Sequence, residues 1–152
     1  MEPRRAADQP DVFPKRVLLV DDSPHFLPVL RAVLETHGYV VCGEAGDGVA
    51  AIEQARVLKP DLVVLDLAMP RLNGMEAAAV LKNLMPKMPI VMLTFHDDQI
   101  KAVPASAFGI KAVISKADGM SKLIECLDAL IGRVAPPVNS TSSEKKASAS
   151  AD

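Results

Sequence analysis

Short, unbroken apolar runs recur along the chain at Val17-Leu18-Leu19-Val20, Tyr39-Val40-Val41-Cys42, Leu62-Val63-Val64-Leu65, Ile90-Val91-Met92-Leu93 and Ala112-Val113-Ile114. Continuous runs of this length suit strands covered on both faces, as in a parallel sheet with helical crossovers. The segments between them carry apolar positions at spacings of three and four. Ser23-Pro24 offers an N-cap and an N1 proline, Phe26, Leu30, Val33 and Leu34 share one face, and Gly38 stands where a C′ residue belongs. Pro28 falls in the first turn and predicts a late start to the regular helix. Val49 to Leu58 and Met75 to Met85 are Ala-rich, end before Pro60 and Pro86, and predict two further helices. Met120, Leu123, Ile124, Leu127, Leu130 and Ile131 keep the helical period, with Asp118 as the expected cap. Asp97 to Phe108 predicts one more helix, short or kinked because Pro104 removes a backbone donor.

Five strands alternating with five helices predict an α/β fold, an open and mostly parallel sheet wrapped on both faces. The expected domain runs from Arg16 to Arg133. Residues 1–15 are polar and Pro-rich, and 134–152 pass through Pro136-Pro137 into Ser, Thr, Lys and Ala, so both ends are predicted to be disordered tails.

Composition narrows the class. A chain of 152 residues, 49% hydrophobic, fits one domain with a core of useful size. Lys plus Arg number 17 against 19 acids, a net charge of −2, so the basic excess of a nucleic-acid binder is missing and no direct nucleic-acid partner is expected. No apolar run approaches the roughly 18 residues needed to span a bilayer. The N-terminus has no apolar h-region, so no membrane insertion is expected and the cytoplasm is the expected compartment. Cys42 and Cys126 show no CxxC spacing and read as reduced, half-buried packing residues.

The candidate chemistry lies at the strand ends. In open α/β sheets, active groups collect beyond the carboxyl ends of the strands. The first strand ends in Asp21-Asp22, the third in Asp66, the fourth in Thr94 and the fifth in Ser115-Lys116. Three carboxylates on one rim repel one another unless a cation intervenes, and hard oxygen ligands of this kind suit Mg²⁺. With a metal bound, an aspartate can stay ionised as a nucleophile, and the Lys ammonium can neutralise charge on a transferring phosphoryl group. Thr94 could add a hydrogen bond to a phosphoryl oxygen. Asp47 and Asp61 are assigned to turns, and His96 to the edge of the site.

These residues resemble a known family, the receiver domain of two-component response regulators of the chemotaxis-Y type. The matching segments are Val20-Asp21-Asp22-Ser23, Leu65-Asp66-Leu67-Ala68-Met69-Pro70 with Asn73-Gly74, Met92-Leu93-Thr94 and Ser115-Lys116. The resemblance implies a flavodoxin-like (βα)5 fold with a five-stranded parallel sheet in the order 2-1-3-4-5. It implies Asp66 as phosphoryl acceptor, Asp22 and Asp66 as direct Mg²⁺ ligands with the carbonyl of Ala68, and Asp21 acting mainly through water. Thr94 would be the switch hydroxyl, and Lys116 would pair with Asp66 or its phosphate. Phosphate would come from a histidine kinase or histidine phosphotransfer protein, or from a small donor such as acetyl phosphate. Two positions depart from the family: Val113 stands where an aromatic is usual, and Ala117 where proline commonly follows the lysine, which implies a looser loop.

The leading expectation is a stand-alone phospho-acceptor switch, not an enzyme with an outside substrate. The residues after Arg133 are too few for a helix-turn-helix output domain, so output is expected through a protein partner or a homodimer. The expected contact face comprises the fourth helix, fifth strand and fifth helix. The alternative is a receiver-like interaction module that is never phosphorylated. A hydrolase of small phosphate esters is disfavoured because Ala68 stands where a second carboxylate would serve as general acid.

Overall fold

The structure, a computed structural model, describes residues 15–95 and 108–132. Five strands, β1 (Arg16–Val20), β2 (Val40–Ala45), β3 (Leu62–Leu65), β4 (Ile90–Thr94) and β5 (Ile110–Ser115), form one sheet in the order β2-β1-β3-β4-β5. Every neighbouring pair is parallel. The expected flavodoxin-like topology is therefore the observed one. Four α-helices are described: α1 (Phe26–Thr36), α2 (Gly48–Leu58), α3 (Gly74–Leu84) and α4 (Met120–Leu130). The helix expected from Asp97 lies outside the described residues but for Phe108, as do Pro104, His96 and nearly all of both expected tails.

Alternation along each strand divides the core in two. Leu18, Val20, Val63, Leu65, Ile90 and Met92 face Ala51 and Ala55 of α2 and Ala77, Ala78 and Leu81 of α3. The small Ala side chains bring these two helices close to the sheet. Val17, Leu19, Leu62, Val64, Val91 and Leu93 face the other way, onto Leu30 and Leu34 of α1 and Leu123, Ile124 and Leu127 of α4. Strands covered on both faces explain why the sequence shows continuous apolar runs.

One helix starts late, as expected, and another lacks its expected cap. α1 begins at Phe26, three residues after the expected cap Ser23, whose Oγ still accepts the Phe26 N–H at 3.2 Å. Pro28 lies in the first turn, where a backbone N–H has no intrahelical partner, so the ring costs no hydrogen bond. Asp118 does not cap α4. It belongs to a one-turn 3-10 segment, Lys116–Asp118, and Gly119 at φ 90° makes the turn into the helix. At the other end of α1, Gly38 takes φ 91°, as its C′ placement predicted.

Candidate functional site

Register brings the acidic residues together. Val20 pairs with Leu65, and the ladder continues one residue further: Asp66 N–H donates to Val20 O at 2.9 Å and Asp21 N–H to Ala45 O at 3.0 Å. Asp21 and Asp66 are thus neighbours at the carboxyl rim, 2% and 6% exposed. Asp22 is exposed beside them. One carboxylate oxygen from each of the three lies within 4.8 Å of the others.

Each side chain is held. Asp21 Oδ1 accepts the Ser23 N–H at 2.8 Å, and Oδ2 accepts Lys116 Nζ at 2.6 Å. Asp66 Oδ1 accepts the Leu67 N–H at 2.8 Å, while Oδ2 lies 3.6 Å from Lys116 Nζ. Thr94 is fully buried at the end of β4. Burial, and then the charge of Asp21, push the Asp66 carboxyl above the usual range, against the opposing pull of Lys116, Thr94 and the Leu67 N–H. Lys116 pairs most closely with Asp21, and Asp66 is its second partner.

The loop from Asp66 to Asn73 is fixed at several points. Gly74 N–H donates to Leu67 O at 2.8 Å, and Gly48 N–H, at the start of α2, donates to Leu72 O at 3.1 Å. Arg71, at φ 68°, reaches both oxygens of Asp47 at 3.1 Å. Asp47 also caps α2 by accepting the Ala50 N–H, so its turn assignment holds and its loop-anchoring role is additional. A capping box starts α3: Asn73 Oδ1 accepts the Glu76 N–H, and Glu76 Oε1 accepts the Asn73 N–H.

Every rim residue chosen from the sequence falls in this one place. Asp21, Asp22, Asp66, Ala68 and Lys116 line a cleft of about 550 Å³, with Thr94 buried beneath. Sequence reasoning passed over Ser23, His25, Phe26 and Phe95, which also line it. No local pattern marks Phe26 or Phe95 as site residues. Ala117 donates its N–H to Ser115 Oγ at 3.2 Å, a bond proline could not make.

A doubly covered parallel sheet with an acidic cluster, a buried hydroxyl and a lysine at its carboxyl rim defines the receiver class of α/β domains. Comparison with known proteins agrees. The sequence matches the response regulator receiver domain over residues 17–128, and the chain belongs to that family. It is 34% identical over 114 residues to the chemotaxis protein CheY of Thermotoga maritima, covering 75% of this chain and 95% of that protein. It is 35% identical over 126 residues to the transcriptional regulatory protein PdtaR of Mycobacterium tuberculosis, covering 83% of this chain and 61% of that one. The response regulator domain of Thermotoga maritima CheB superposes with a TM-score of 0.71 at 30% identity, over 80% of this chain and 98% of that one. The receiver domain of sensor histidine kinase PA1611 from Pseudomonas aeruginosa, solved with a magnesium ion in its active-site cleft, superposes with a TM-score of 0.71 at 26% identity, over 79% of this chain and 99% of that one. Receiver domains are regulatory phospho-acceptor domains of two-component systems. Among the described residues, no helix is long and apolar enough to cross a membrane.

Proposed function

We propose that this chain is a phosphorylation-dependent switch of a two-component phosphorelay, with Asp66 as phosphoryl acceptor and Mg²⁺ as its metal. The observation that carries the reading is the meeting of Asp21, Asp22 and Asp66 within 4.8 Å, with the Lys116 ammonium alongside. The donor set fits Mg²⁺: hard oxygens, two of the carboxylates buried, and a raised Asp66 whose crowding a divalent cation relieves. Asp22, Asp66 and the Ala68 carbonyl would hold the ion. Asp21, with both oxygens already bonded, would act through water. Bound there, Mg²⁺ would keep Asp66 ionised and neutralise charge on phosphoryl oxygens.

The chain's own groups supply the rest. A carboxylate oxygen of Asp66 attacks the phosphorus of a phosphohistidine; the new P–O bond forms as the P–N bond breaks, and its electron pair goes to the imidazole. Leu67 N–H fixes the carboxylate plane, and Thr94 and Lys116 stand ready to bind the phosphoryl oxygens. The donor is a histidine kinase, a histidine phosphotransfer protein or a small phosphodonor. The phosphoryl group adds about −1.5 to −2 charge, by analogy with phosphoesters, and this biases binding of a protein partner or second copy at the face that includes β5 and α4.

Intact-protein mass with Mg²⁺ and acetyl phosphate tests the reading. A single phosphate adduct is expected in wild type, with none in Asp66→Asn or without Mg²⁺. No adduct together with no Mg²⁺ binding would overturn it in favour of an unphosphorylated interaction module.

A further inference from the structure

The Lys116 ammonium is surrounded in an uneven way. Its side chain is 6% exposed, so water solvates little of the charge. An ammonium has three N–H donors, yet among the described residues its one hydrogen bond goes to Asp21 at 2.6 Å. Asp66, at 3.6 Å, adds charge without a hydrogen bond. Two aromatic faces take up part of the remaining space: the Phe26 ring centroid lies 4.3 Å from Nζ and that of Phe95 5.5 Å. Both lie within the distance at which a ring quadrupole attracts a cation.

The two rings are mounted differently. Phe26, in the first turn of α1, is half-buried against the core shared with α4. Phe95 directly follows Thr94 and is 64% exposed. One ring is packed against the core and the other lies at the surface, and they come from separate elements, α1 and the end of β4.

We infer that Phe26 and Phe95 form a two-ring seat for the Lys116 ammonium, which lets it pass from Asp21 to a phosphoryl group on Asp66 without returning to water. The inference rests on the reading of Asp66 as acceptor. A buried ammonium that leaves a hydrogen bond must find compensation during the move. A ring face supplies it, because its attraction varies slowly with lateral position whereas a hydrogen bond is directional. The shift required is small, since Asp66 Oδ2 is already 3.6 Å away. Phe26 and Phe95 are positioning residues: they act on phosphoryl transfer through Lys116.

The test has two readouts. In unphosphorylated, metal-free protein with ¹³C-labelled lysine, the Lys116 Hε resonances are expected upfield of the other lysines through ring currents, and Phe26→Leu is expected to return them most of the way. At saturating Mg²⁺, the rate of phosphorylation by acetyl phosphate is expected to fall about three- to tenfold in Phe26→Leu, the kinetic equivalent of losing one partly desolvated cation–π contact. Phe26→Tyr, which keeps the ring, is expected to retain the wild-type rate, and the Mg²⁺ affinity of both variants to stay within about twofold of wild type. Phe26→Leu keeps an apolar side chain in the same place, and recovery in Phe26→Tyr separates loss of the ring face from loss of packing. Unshifted Lys116 resonances in wild type, or a wild-type rate in Phe26→Leu, would overturn the inference. A wild-type protein that accepts no phosphate and binds no Mg²⁺ would overturn the acceptor reading and the transfer role with it, while the ring-current shift would still decide whether the seat exists.

Discussion

Gly74 and Asp66 meet backbone to backbone: a Cβ added to Gly74 would overlap the Asp66 carbonyl oxygen and lie 2.9 Å from Leu67 Cα. The first residue of α3 therefore rests against the candidate acceptor's own main chain. Asp66 cannot easily retreat, because its N–H is bonded to Val20 O in the sheet. Gly74→Ala is expected to cost about 1–3 kcal/mol, the usual range for overpacking. It should also weaken Mg²⁺ binding by displacing Asp66. Urea unfolding and a Mg²⁺ titration check both, and wild-type values in each would show that the loop yields.

The capping box makes a separate contribution to the same helix. Asn73→Ala removes the side-chain acceptor for the Glu76 N–H and is expected to cost about 1 kcal/mol. Asn73→Asp, which keeps an acceptor oxygen, should lose little. Denaturation midpoints with unchanged m-values are the measurement.

The raised carboxyl of Asp66 gives a pH signature. Burial and Asp21 make the folded protein hold the Asp66 proton more tightly than the unfolded chain does. In metal-free buffer, stability is therefore expected to fall as pH rises from the ordinary carboxylate range through the raised Asp66 value, because ionisation there costs more in the folded state. Asp66→Asn does not ionise, so its stability relative to wild type should rise across that window. A difference independent of pH would refute this account.

Added Mg²⁺ should act in the opposite sense. At a free concentration one hundred times its dissociation constant, a single site stabilises wild type by about 2.7 kcal/mol. Asp66→Asn, lacking one candidate ligand, should gain less at the same concentration. Thermal unfolding with and without the ion measures both.

Away from the rim, Tyr39 OH donates to Asp128 Oδ1 at 2.5 Å, joining the start of β2 to α4. The Tyr39 side chain is buried and its acceptor is a carboxylate, so Tyr39→Phe is expected to cost about 1.5 kcal/mol while leaving phosphorylation unchanged. Chemical denaturation and the acetyl phosphate assay separate the two effects.

The pattern of apolar runs determined the sheet, because strands covered on both faces must be apolar at every position, and a local run of four such residues already shows this. Asp21, Asp66, Thr94 and Lys116 were legible for a related reason: the first three directly follow such a run, Lys116 follows another after one intervening residue, Ser115, and parallel strands bring their carboxyl ends to one rim. β2 was harder. It extends through Gly43, Glu44 and Ala45 at the sheet edge, where polar Glu44 is tolerated because Arg31 of α1 meets it at 2.8 Å. What only the tertiary structure decided were the contacts between residues far apart in the chain. The tie between Arg71 and Asp47, the preference of Lys116 for Asp21 over Asp66, and the placement of Phe26 and Phe95 around that lysine are of this kind. Local pattern specifies which faces an element buries, whereas the partner of a single charge or ring depends on distances that exist only once the sheet and its helices have packed.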